Sequence, residues 1–82
     1  LDSRSVSNFD DWTGRHGRLS DKWGHTDYDR HEIVIDPRCR AAGLEREIVI
    51  HEMLHKLFPW MDEGPVAVAA KEIDDALDEF DL

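Results

Sequence analysis

Residues 44–59, Leu-Glu-Arg-Glu-Ile-Val-Ile-His-Glu-Met-Leu-His-Lys-Leu-Phe-Pro, decide how the rest of this chain is read. At about 100° per residue, Val49, Ile50, Met53, Leu54, Leu57 and Phe58 spread over one broad arc, and His51, Glu52 and His55 fall together in the gap beside it. The pattern predicts a helix, buried over most of its surface and ended by Pro59, whose one polar stripe holds two histidines. Residues four apart lie one above the other on a helix. His51-Glu52-Met53-Leu54-His55 is therefore an H-E-x-x-H in which two imidazoles can grip one zinc ion while Glu52 projects beside it, placed to take a proton from an activated water. The bland alternative is a pair of satisfied histidines without metal. The apolar setting disfavours it, because desolvated imidazoles need partners.

Upstream, residues 31–36 (HEIVID) form the clearest strand: they are dense in β-branched side chains and stop at Asp36-Pro37. Asp27-Tyr28-Asp29-Arg30 reads as a turn, with Asp bonding its own backbone. Residues 19–26 supply Leu19 and Trp23 as inward candidates and Gly24 as a weakener of any strand, so a β-hairpin is expected. Residues 1–18 show no sustained period and are expected to be loop or poorly ordered, with Phe9 and Trp12 pinned to the core. Asp36 can cap a single helical turn that begins at Pro37 and ends near Gly43.

Downstream, Asp62-Glu63-Gly64-Pro65 is a helix start, with acids at the positive end of the dipole. Val66, Ala69, Ala70, Ile73, Leu77 and Phe80 follow at helical spacing, with acids on the other side. The expected fold is α+β, one domain over residues 1–82: a small β-hairpin or sheet, then the H-E-x-x-H helix, then a second amphipathic helix.

With 82 residues, 10 Lys+Arg and 19 Asp+Glu, the chain has a net charge of −9. An acidic excess argues against nucleic-acid and anionic-membrane binding, and no apolar run approaches the roughly 20 residues of a membrane span. The opening Leu1-Asp2-Ser3-Arg4 does not read as a signal peptide. A single cysteine, Cys39, makes no internal disulfide and favours a reducing compartment. A chain this small has little core to spare, and a metal would staple it. The charge is concentrated: Asp62, Glu63, Glu72, Asp74, Asp75, Asp78, Glu79 and Asp81 face Lys71 alone, so the remainder is nearly balanced.

Ile48-Val-Ile-His-Glu-Met-Leu-His-Lys-Leu-Phe-Pro, preceded by an Ile-Val-Ile-Asp strand and followed by Asp-Glu and an Ala-rich helix, resembles the minimal zinc metallopeptidase-like proteins of phage and prophage genomes. These are small zincins, more distantly similar to the ImmA/IrrE and SprT-like groups. The resemblance covers roughly residues 23–80, and the H-E-x-x-H helix is its specific part. It implies bound Zn2+, a peptide or protein substrate and a cytoplasmic location, that of the host cell if the chain is phage-encoded. In zincins a sheet edge can hold an extended peptide by backbone pairing, which makes residues 31–36 or their hairpin partner the expected substrate shelf.

A catalytic zinc takes a third protein ligand and keeps an open position. His16, His25 and His31 all precede the motif and no histidine follows His55, so the downstream histidine of SprT-like proteins is absent. A gluzincin-type acid from the next helix is then expected: Glu63 first, Asp62 second, His25 third. Both acids are expected to project toward the Val66, Ala70 and Ile73 face. Gly64 departs from the family pattern, in which an acid often stands there. His25 or Tyr28 can donate to the oxyanion of a tetrahedral intermediate, although a surface hairpin role is the simpler reading of each. Cys39, between Arg38 and Arg40, is either a thiol of lowered pKa or a small loop residue.

The leading expectation is a zinc metallopeptidase with His51, His55 and Glu63 on the metal and Glu52 as general base. The competing one is a zincin-fold binding or regulatory module in which zinc is structural or lost. A third, an acidic decoy for a nucleic-acid-binding protein, rests on the acidic helix face alone, which is otherwise a solvated surface.

Overall fold

The computed structural model describes residues 11–82. Its elements are β1 (Thr13–His16), β2 (Gly24–Asp27), β3 (Glu32–Ile35), α1 (Arg38–Ala41), α2 (Glu45–Leu57) and α3 (Glu63–Glu79). They make an α+β arrangement with one three-stranded sheet in the order β1-β3-β2, β1 parallel and β2 antiparallel to β3. The β-branched run of β3 is the central strand. Ile33, Val34 and Ile35 are all buried, as a strand covered on both faces requires, which explains its apolar run without alternation.

The β2–β3 hairpin forms as expected, and its turn uses the predicted chemistry. The Asp27 carboxylate accepts the backbone N–H groups of Asp29 and Arg30, each at 3.0 Å. These bonds, that of Arg30 foremost, lower the Asp27 pKa. His31, expected in the strand, instead closes the turn at φ 53°, in the left-handed region. Its ring stacks on Trp12 at 4.9 Å, and Lys56 lies 5.5 Å from the centre of the Trp12 ring.

Three other expectations are corrected. Residues 13–16, read as loop, are strand β1. All four are exposed and polar or glycine, so backbone pairing to β3 holds them and no apolar alternation betrays them. Of the two aromatics expected to pin this region, Trp12 packs on the core and Phe9 lies outside the described residues. Second, α2 is not mostly buried: Val49 and Leu57 are exposed, and the one buried residue of the helix is Glu52. Among the described residues the sheet, α3 and the short α1 cover the helix, and they cover Ile48, Met53 and the polar stripe while the rest of the apolar arc stays open. Third, Cys39 lies in α1, completely buried beside Ile33 and Ile35, and burial pushes its thiol pKa up.

α3 buries Val66 and Ala70, while Ile73 stays exposed. Its acidic side is not simply solvated. Arg46 on α2 donates to the Asp74 and Asp78 carboxylates and to the backbone carbonyls of Asp74 and Leu82. The α2 and α3 helices are thereby clipped at the start of one and the end of the other.

Asp36 fastens the other side. Completely buried, its carboxylate accepts the backbone N–H groups of Leu19 and Arg38, both at 2.9 Å, and the Arg38 guanidinium, which also donates to the Leu19 carbonyl. The Asp36 carboxylate thus accepts the Arg38 N–H, but α1 begins at Arg38 with Pro37 in the capping position, one residue later than expected. The Arg38 guanidinium foremost, then the Leu19 and Arg38 N–H groups, hold the Asp36 carboxyl well below the usual carboxylate range. A depressed folded value contributes stability that is fully present above the ordinary aspartate pKa of about 4 and lost as pH falls through the folded value. Thermal unfolding of Asp36→Asn against the parent checks this: the variant melts lower at neutral pH, and the gap narrows only below about pH 4.

Candidate metal centre and cleft

The centre is assembled from two helices. On α2 the i, i+4 spacing sets His51 and His55 side by side, ring centroids 4.9 Å apart. Pro59 stops the helix, the Met61 N–H bonds the Phe58 carbonyl, and Asp62 in extended conformation caps α3. The tight turn delivers Glu63, the first residue of α3, across the two imidazoles. One carboxylate oxygen lies 2.8 Å from His51 Nε2 and the other 2.8 Å from His55 Nε2. The histidine side chains are mostly buried and Glu63 is open to solvent. Burial pushes the Glu63 pKa up, but the charges and hydrogen bonds of His51 and His55 outweigh it and the net shift is downward, toward the ionised form.

Whether this set suits a metal is a question of donor type and spacing. One nitrogen from each histidine and one oxygen from Glu63 lie within 4.8 Å of one another. Tetrahedral zinc with bonds of about 2.0–2.1 Å needs ligand atoms roughly 3.3 Å apart. Two imidazoles and a carboxylate, with the carboxylate on the exposed side, therefore fit a three-ligand site with an open position. Asp62 does not join the group, and neither does His25.

Beside the triad is a cleft of ≈ 400 Å³ whose walls include Trp23, Thr26, Tyr28, Ile48 and Glu52. Glu52 is held by Thr26, whose hydroxyl lies 2.6 Å from Glu52 Oε1 and 3.1 Å from the Glu52 carbonyl oxygen, sharing its one proton between them. Beneath it is Gly24: a Cβ there would meet Glu52 Oε2 at 2.7 Å and Ile48 Cγ2 at 2.8 Å. Neither Thr26 nor Gly24 was marked by the sequence as a site residue. Their one signal was a glycine inside a strand, which marks close approach as readily as weakness.

Tyr28 and His25 both line the cleft, but their groups are engaged. The Tyr28 hydroxyl donates to the His55 carbonyl at 2.7 Å, satisfying an acceptor that the helix end leaves free. Burial first, then the charge of Glu52, raises the Tyr28 pKa and keeps it a donor. It can serve an oxyanion only by leaving that carbonyl. His25 Nδ1 lies 3.1 Å from Lys22 Nζ. Because β3 is central, the substrate shelf cannot be residues 31–36; the edge strand beside the cleft is β2.

Gly24→Ala tests the close approach. Overpacking at a rigid contact costs typically about 1–3 kcal/mol, or roughly 4–8 °C of melting temperature per kcal/mol in a domain of this size. A thermal melt that moves less than about 2 °C contradicts the contact.

Comparison with protein-family models, curated proteins and solved structures gives no match.

Proposed function

We propose that this chain is a minimal zinc-dependent peptidase, similar to the small zincins of phage and prophage genomes. The observation that carries the reading is the convergence of His51, His55 and Glu63 beside a cleft whose wall holds the buried Glu52. His51 Nε2, His55 Nε2 and a Glu63 oxygen would hold the ion. Zinc bound there would supply Lewis-acid polarisation of a peptide carbonyl and a water of lowered pKa. Glu52, fixed by Thr26, takes the proton from the attacking water and returns it to the leaving amine. The β2 edge offers unpaired backbone groups to an extended peptide or protein segment. No helix among the described residues is long and apolar enough to cross a membrane, and a chain with one cysteine suits the reducing cytoplasm.

One observation favours a second reading. Glu63 satisfies both imidazoles with its own two oxygens, so the triad can also persist as an ion pair in a binding or regulatory module without peptidase activity. The two readings separate in one experiment. Native mass spectrometry of the intact protein and of His55→Ala measures metal content, and a diverse peptide pool with and without chelator measures hydrolysis. The peptidase binds one zinc, loses it in His55→Ala, and in Glu52→Gln keeps zinc while hydrolysis falls by at least about a hundredfold. Zinc without hydrolysis selects the binding module. Hydrolysis undiminished in purified Glu52→Gln overturns the assigned role of Glu52.

A further inference from the structure

β2 and α2 run side by side in the same direction. Gly24 abuts Ile48 and Glu52, Thr26 bonds Glu52, and Tyr28 bonds the carbonyl of His55. The cleft therefore has two ends. His55 and Glu63 stand at the Tyr28 end; Trp23 and Lys22 stand at the Ile48 end. Lys22 also lines an adjoining recess of ≈ 470 Å³ whose wall includes Arg38 and Asp21.

The charges at this end are unequally committed. Arg38 is paired with the buried Asp36. Lys22 makes no ion pair with a carboxylate of the described residues, Asp21 included; its polar contact is with His25 Nδ1. An ammonium has no lone pair, so a hydrogen bond in that contact has Lys22 donating and His25 Nδ1 accepting, which leaves the Nε2–H as a second donor. A cation and an N–H donor on the cleft wall suit a carboxylate, at the end of the cleft away from Glu63.

Direction comes from the strand. A peptide added antiparallel to β2 enters at the Tyr28 end and travels toward Trp23, so its C-terminal part arrives at Lys22. The parallel orientation would bring the N-terminal side, with its ammonium, toward the same cation. We propose that Lys22, with His25 beside it, is a carboxylate-binding subsite. It selects peptides that carry a C-terminal carboxylate or an acidic side chain beyond the residues paired with β2. The inference rests on the cleft being a peptide site, as in the proposed function, but not on hydrolysis.

The test uses four synthetic hexapeptides of one sequence, fluorescently labelled at the N-terminus, with a C-terminal acid or amide and with Glu or Gln at the penultimate position. Binding is measured by anisotropy to the zinc-loaded full chain in the Glu52→Gln background, so that peptides stay whole. The carboxylate-bearing peptides bind about five- to tenfold tighter than the amidated Gln peptide. That preference disappears in Lys22→Ala, survives in Lys22→Arg and weakens with salt. Loss on amidation alone identifies the C-terminal carboxylate; loss on Glu-to-Gln exchange alone identifies a side chain. Equal affinities for all four, no binding of any, or a preference that survives Lys22→Ala overturns the inference. Hydrolysis of the same peptides by the parent protein keeps the two ideas apart. Cleavage indifferent to peptide charge leaves the peptidase standing without this subsite. Carboxylate-selective binding without cleavage does the reverse.

Discussion

The structure depends on how closely α2 can lie on β2. At Gly24 there is no room for a Cβ: the Glu52 carboxylate and the Ile48 side chain occupy that space. Two consequences follow from this one contact. The helix meets the sheet through Glu52 of its polar stripe as well as through Ile48 and Met53, so Glu52 is desolvated and needs the Thr26 hydroxyl. The same seating leaves His51 and His55 on the flank, where the N-terminus of α3 can reach them. A bulkier strand residue would lift the helix and separate Glu52 from Thr26, loosening the cleft wall beside the triad.

The position of Glu63 is likewise set at a distance. α3 runs back along α2, and Arg46, in the first turn of α2, holds the far end of α3 through Asp74, Asp78 and the Leu82 carbonyl. Val66 and Ala70 fill the contact between the two grips. A helix fixed at its far end and packed through small residues has little freedom to swing, so Glu63 meets the two imidazoles at a defined height. Part of the chain's negative charge is thus spent on alignment, and the acidic face is less available as a docking surface than its composition suggests.

Much of this was legible in the residues. The β-branched run 32–35, the Asp27 turn, the Pro59 stop and the Asp62-Glu63 start each rest on local chemistry, and local chemistry is what a sequence displays. The two-histidine stripe was legible for the same reason. What stayed hidden depends on long-range pairing. Thr13–His16 joins the sheet by backbone bonds alone, with no apolar side chain to mark it. The burial of α2 was overstated because periodicity shows which side chains share a face, not whether enough chain exists to cover it. Cys39 looked like a thiol between two arginines, yet Arg40 turns to Glu45 and Arg38 to Asp36, leaving the sulfur in the core.

A core of so few buried apolar side chains must be supplemented, and among the described residues the polar fastenings include Asp36 with Arg38 and the 19–23 segment, Arg46 with the end of α3, and Glu63 with His51 and His55. They differ in what they could exchange. Guanidinium groups stay protonated and offer no lone pair, so the first two can only be salt links. The third alone is built from groups that can all become metal ligands. It is also the one that borders the cleft and stands one residue from the buried Glu52. A fastening needed only for stability would work as well with arginine, whose fork binds a carboxylate with two parallel bonds. Two histidines set edge to face at that place instead leave a link that can open, which is what the proposed function asks of it.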